Sequence, residues 1–233
     1  MIKISILSVL FAVVLIACDQ PEPLSPKAQT IADLMTKLEA ADLFNGIILI
    51  AEEGEVSYKG VHGHRSFNPR EPLKSDDAFR VGSISKPVTA VAIHMLAERG
   101  QLGYDDALSK FFPELPYDHV TIENLLSHTS GLYDVYQETE MRAAFYAFYD
   151  KLDPPYTNKD YLEYMIQSKP DVIGAPLEIG RYSNTGYVLL ALIVEQVSGQ
   201  RFDVFIREHI FEPAGMTRSG VYSLLEDRDV PYI

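Results

Sequence analysis

The sequence predicts an α+β fold, and three observations predict it. Two short β-prone stretches, residues 47–51 and 56–61, flank a turn signal at Glu53-Gly54, the pattern of an antiparallel hairpin. From Ser85 onward apolar residues recur at three- and four-residue spacing in successive segments, the pattern of amphipathic helices. Over 233 residues, 47% are hydrophobic and only 23% charged, enough apolar material to bury a core rather than remain disordered.

The elements follow in order. Ser25-Pro26 is a helix start, because proline has no N–H to lose in a first turn. Ile31, Leu34, Leu38 and Ala41 then keep one apolar face, predicting a helix over 26–43 that Asn45-Gly46 ends. The unbroken apolar run at 47–51 predicts a first strand buried on both faces. Residues 64–77 are polar and are expected to form a loop. A helix over 85–99 follows, with Val88, Val91, Ala92, Met95 and Leu96 as its core face and Gly100 as its left-handed stop. Further helices are expected at 121–127, 138–149, 158–168, 185–198 (stopped by Gly199) and 202–209. Only two convincing strands emerge. An isolated hairpin is marginal in water, so either short strands go unseen or the sheet is incomplete.

The formal net charge of −13 argues against nucleic acid as a partner, which would require a basic footprint. Lys3 precedes an apolar run from Ile4 to Ala17 that is too short to span a bilayer and has the character of a secretory signal. It ends in Leu15-Ile16-Ala17-Cys18, which resembles the bacterial lipoprotein lipobox. The resemblance implies lipidation of Cys18, a signal peptide over 1–18 and an exported, membrane-anchored protein of the cell envelope. Cys18 is the only cysteine, so no intrachain disulfide forms. Residues 19–26 contain three prolines and no apolar period, and are expected to be an extended tether. The folded domain is expected over 27–233.

One local motif points to chemistry. Ser83 and Lys86 form a Ser-x-x-Lys. With 16 serines and 10 lysines in the chain, about one such spacing arises by chance. Its placement is more informative. Pro87 cannot bond back to the Ser83 carbonyl, so Ser83 sits at the mouth of the helix, where the dipole and free N–H groups favour a developing alkoxide. Lys86, one turn on, comes within reach of the hydroxyl. To act as a base near neutrality it must be largely shielded from water. The local residues equally allow Ser83 as a plain N-cap and Lys86 as a solvated first-turn side chain.

A second constellation lies about a hundred residues on, at Arg181-Tyr182-Ser183-Asn184-Thr185-Gly186-Tyr187. It resembles the Tyr-x-Asn box of serine β-lactamase-related proteins: class C β-lactamases, penicillin-binding DD-peptidases and related esterases. The segments FRVGSISKPVTAVAIHMLAERGQL, IENLLSHTSGL, RYSNTGYVLLALIVEQVSG and IFEPAGMTRSG resemble family segments in family order. The resemblance implies a β-lactamase/transpeptidase-like fold, an antiparallel sheet flanked by helices plus an all-helical region. It also implies Ser83 as acylated nucleophile, Lys86 as the proton acceptor beside it, Tyr182 as a second proton shuttle and Asn184 as a hydrogen-bond donor to the substrate. Substrates would be small molecules or peptides: a β-lactam, a D-amino-acid peptide or a carboxyl ester. No cofactor and no metal are implied. Tyr156-Thr157-Asn158 is also Tyr-x-Asn, but Asn158 is accounted for as a helix N-cap. His62 and His64 lack a metal-ligand pattern, and His94 and His128 need no chemical role.

The family's third box, Lys-Thr-Gly or His-x-Gly on a strand that supplies an oxyanion N–H, is not found after Asn184. The expectation is a truncated chain lacking the C-terminal strands of the sheet, its site recognisable but crippled. The alternatives to an acyl-serine hydrolase are a non-catalytic binding or sensing envelope lipoprotein, an inactive fragment, or a structural lipoprotein.

Overall fold

The computed structural model describes residues 24–134, 138–149, 156–172, 174 and 180–222. Cys18 and residues 19–23 of the expected tether lie outside them. Two compact units divide the chain, one up to Asp77 and one from Ala78.

The first unit holds α1 (Pro26–Ala40), β1 (Gly46–Glu52), β2 (Glu55–His62), β3 (His64–Phe67) and β4 (Arg70–Pro72). Ser25 caps α1 by accepting the Ala28 N–H at 3.2 Å, with Pro26 at the first helical position. β1 and β2 pair antiparallel, Leu49 opposite Lys59 and Ile50 opposite Tyr58, with an irregularity after Ile50. Ile48 and Ile50 pack against the small core of Ala28, Met35 and Tyr58.

Two expectations fail here. β1 is not buried on both faces: Leu49, between Ile48 and Ile50, is 57% exposed. Among the described residues the strand has one neighbour, and strand alternation sends every second side chain away from the α1 side. The polar loop expected at 64–77 instead contains a second small antiparallel sheet, β3 with β4. The described residues thus hold four strands rather than two.

The second unit is helical. A 3-10 turn (Gly82–Ile84) leads directly into α2 (Ser85–Glu98), followed by α3 (Ile122–Leu126), α4 (Thr139–Phe148), α5 (Asn158–Ser168), α6 (Asn184–Ser198) and α7 (Phe202–Ile206). Helix α6 is central: Leu189 through Val194 are all buried, as expected of a helix packed on every side, and α2, α3, α5 and α7 lie against it. Gly199 ends it with φ 70°. Phe145 of α4, fully buried, stacks on Tyr161 at 4.4 Å between ring centres and meets Tyr156 and Tyr164 edge-on.

Three further details correct the expectations. The buried face of α2 is Thr89, Ala92, Ile93 and Leu96, whereas Val91 is 44% exposed. Contact with both α6 and α7 turns the helix about one residue from its most apolar stripe. Thr157, not Asn158, caps α5. Its hydroxyl accepts the Asp160 N–H while the Asp160 carboxylate accepts the Thr157 N–H, a reciprocal box that Asn158 cannot form from one position later. The helix expected over 202–209 is α7 followed by a wider π turn (Arg207–Phe211).

Candidate active site

Ser83 lies in the 3-10 turn that opens α2, and Lys86 on the first turn of α2 proper. A side chain three residues on lies over the preceding turn, so the Lys86 Nζ returns to the Ser83 Oγ and donates to it at 3.2 Å. Tyr182 and Asn184 come from the segment entering α6. Ser183 caps that helix by accepting the Gly186 N–H, and its extended backbone sends Tyr182 and Asn184 to the same side.

The two segments converge although 99 residues separate Ser83 from Tyr182. The Ser83 hydroxyl and the Tyr182 phenol share a hydrogen bond. The Lys86 Nζ donates to Asn184 Oδ1 at 2.6 Å and stands 4.7 Å from the centre of the Tyr182 ring and 5.5 Å from that of Tyr187. All four residues predicted for the site therefore meet in one cluster, in which Lys86 touches each of the others. The expected shielding differs. Lys86 is half-buried, Ser83 is exposed and Tyr182 is 38% exposed, so among the described residues the cluster opens to one side.

Lys86 sets the electrostatics. Its ammonium beside the phenol, and next the Ser83 hydroxyl, hold Tyr182 below its ordinary value of 10.0, because both interactions favour the phenolate. Tyr187, under the same lysine, shifts the other way through burial.

Two residues that the sequence left without a role support the cluster. Asp134, almost fully buried, accepts from both the Asn184 backbone N–H (2.9 Å) and the Asn184 Nδ2 (2.8 Å). With its N–H side thus occupied, the amide presents Oδ1 to Lys86. His128 stacks on the Tyr182 ring at 4.4 Å and accepts the Ser183 N–H through Nδ1 at 3.1 Å. Both come from the stretch His128-Thr129-Ser130-Gly131-Leu132-Tyr133-Asp134. Gly131 within it has φ 70°, and a Cβ there would lie 2.3 Å from the Gly174 carbonyl oxygen, so only glycine fits without a shift. The quoted segment IENLLSHTSGL contains His128 and ends two residues before Asp134. Nothing in their spacing says which way their side chains face.

The remaining candidates lie elsewhere. His62 binds Glu39 at 2.9 Å and Tyr58 at 3.1 Å inside the first unit. His94 binds the Tyr104 phenol at 2.7 Å. No group of metal-binding side chains is found among the described residues, nor any described helix long and apolar enough to cross a membrane.

Comparison with known proteins gives a consistent picture. The family described as "Beta-lactamase" matches residues 28–230. Penicillin-binding protein 4* of Bacillus subtilis (strain 168) is 38% identical over 197 residues, 84% of this chain and 42% of that protein. Esterase EstB of Burkholderia gladioli is 28% identical, over 82% of this chain and 50% of its own. Among solved structures, the octameric penicillin-binding protein homologue from Pyrococcus abyssi superposes with a TM-score of 0.72 at 30% identity, covering 88% of this chain and 46% of that one. The D-amino acid amidase from Ochrobactrum anthropi SV3 gives 0.66 at 26% identity, covering 82% and 52%. The architecture is the β-lactamase/transpeptidase-like α+β fold. The chain spans about half the length of the curated relatives it matches.

Proposed function

Because the chain belongs to the beta-lactamase family, we propose that it is a serine hydrolase that takes the acyl group of an amide or ester onto Ser83 and passes it to water. The observation that supports this reading above the others is the contact of the Ser83 hydroxyl with both the Tyr182 phenol and the Lys86 amine.

In acylation the Ser83 Oγ attacks the carbonyl carbon while its proton moves to the Tyr182 oxygen, made more acidic and so more easily held as phenolate by the Lys86 ammonium. The carbonyl oxygen, now negative, is received by the backbone N–H of Ser83 at the helix mouth. As the C–N or C–O bond breaks, Tyr182 returns the proton to the leaving amine or alcohol. The acyl-serine is hydrolysed by the reverse sequence with water in place of the leaving group. Lys86 keeps the phenol and the serine in register, and Asn184, held by Asp134, fixes the lysine and offers its remaining N–H to the substrate amide or ester.

Candidate substrates are β-lactams, D-amino-acid peptides and carboxyl esters. Relatives named as penicillin-binding proteins, an esterase and a D-amino acid amidase support that range. The same proposal makes the protein an exported envelope lipoprotein anchored through Cys18, which lies outside the described residues. Palmitate incorporation in a bacterial host that survives Cys18→Ser would remove the anchor from it.

The central test is covalent. Intact-mass analysis after incubation with a fluorescent penicillin, a fluorophosphonate and an activated ester should show one adduct, on Ser83, absent from Ser83→Ala. An adduct on another residue, or none with any probe while a ligand still raises the melting temperature, would replace the hydrolase with a binding module.

A further inference from the structure

Tyr182 must hold its phenol against Ser83 although it is 38% exposed and sits on an extended segment rather than in a helix. Its neighbours in the chain are tied to one residue. The Arg181 N–H donates to the His128 carbonyl at 2.9 Å, and the Ser183 N–H donates to His128 Nδ1 at 3.1 Å. Between these two bonds the imidazole lies against the Tyr182 ring, centroids 4.4 Å apart and planes 29° apart. His128 thus grips residues 181 to 183 by backbone, ring face and ring nitrogen at once. Its own backbone is in the left-handed region at φ 59°, a conformation uncommon for a residue with a side chain.

We infer that His128 is the positioning residue of the Tyr182 phenol, and that it holds this position only as the neutral ring protonated at Nε2. The inference rests on the reading of Tyr182 as proton carrier. The chemistry is restrictive. A nitrogen that accepts a backbone N–H carries no proton, so Nδ1 must be bare. Protonating it replaces an attraction with two facing N–H groups and places a second cation near Lys86. The titratable groups facing His128 are Lys86 from α2, Asp134 from the following loop, Tyr182 and, at 5.1 Å, Tyr187 from α6. Burial first, then Lys86, lower the tendency of the ring to take a proton, against a smaller opposing contribution from Asp134. As pH falls from the ordinary histidine value of 6.5 through the lowered one, the unfolded chain takes up the proton first, so the fold, and with it the Tyr182 grip, loses stability on the acid side.

Two variants separate the parts of this grip. His128→Asn places an amide oxygen near the Nδ1 position, tolerates the left-handed backbone and cannot titrate. His128→Phe keeps a ring on Tyr182 but has no acceptor for Ser183. The expected results are that His128→Phe acylates Ser83 about a hundredfold more slowly, as a misplacement near 1 Å does, whereas His128→Asn, which keeps the acceptor but gives up the ring face, is slowed less than His128→Phe and loses the part of the acid limb that follows His128. Nitrogen-15 NMR of the wild-type imidazole should find Nδ1 unprotonated at neutral pH. The Tyr182 phenol carbon shift should show its titration returning towards 10.0 in His128→Phe. These NMR measurements need no acylation, so they decide the inference even if no probe labels Ser83. A proton on Nδ1, or a folded His128→Phe with wild-type Tyr182 titration, would overturn it.

Discussion

Asn184 has an amide with one donating and one accepting end, and its role depends on which end faces Lys86. Asp134 decides this, because an ionised carboxylate can only accept and so selects the NH2 end. It also accepts the Asn184 backbone N–H, so one buried oxygen fixes both the side chain and the start of α6. In Asp134→Ala the two N–H groups lose their shared charged acceptor, at an expected cost of about 1 to 3 kcal/mol measurable as a lower urea midpoint. Acylation of Ser83 should fall further than stability does, since a rotated amide would turn its N–H groups towards the lysine. A variant whose labelling rate is unchanged would assign Asp134 to the fold alone. The sequence marked Ser83, Lys86, Tyr182 and Asn184 through their placement and flanking segments, since neither spacing is distinctive by itself. Asp134 and His128 escaped because a carboxylate or an imidazole in a loop has no periodicity that says what it faces.

At the scale of elements, legibility follows length and regularity. The extents of α2, α5 and α6 were readable because several turns of apolar spacing end in recognisable caps, such as Gly199 at φ 70°. The strands β3 and β4 were not, since His64-Arg65-Ser66-Phe67 and Arg70-Glu71-Pro72 are short, polar and carry no alternation worth the name. Their pairing is a tertiary outcome, as is an Arg65 guanidinium that reaches Asp77 at 3.2 Å. The α2 face was misjudged by one residue for a related reason. An amphipathic stripe is judged from one helix, but α2 packs on both α6 and α7, and Ile93, at the stripe's edge, is fully buried while Val91 is not. This rotation does not disturb the site, because Ser83 and Lys86 are placed by the turn that opens the helix rather than by its buried side.

At the scale of the molecule, phenols record how differently one chain can treat one chemical group. The sequence has 14 tyrosines. Burial, reinforced by nearby carboxylates, pushes Tyr117 and Tyr149 up to about 12: Tyr117 donates to the Pro170 carbonyl and Tyr149 to the Asp160 carbonyl, bonds that only the protonated phenol can make. Burial likewise raises Tyr164 and Tyr187. Tyr182 alone among these shifted phenols is lowered, because a cation outweighs its modest burial. Ionisation followed in the near ultraviolet should therefore begin below pH 10 with Tyr182 and end, provided the fold survives, with Tyr117 and Tyr149. The sign is set by what each environment favours: charge beside Lys86, neutrality in the core. Tyr182→Phe should delete the earliest component and leave the last unchanged, and Lys86→Met should move that component up towards 10.0. If the rate of Ser83 acylation in the wild-type protein rises with pH along the same early component, the phenolate is the proton acceptor. An early component that persists in Tyr182→Phe would instead place the lowered phenol elsewhere and leave Ser83 with Lys86 as its only neighbouring base among the described residues.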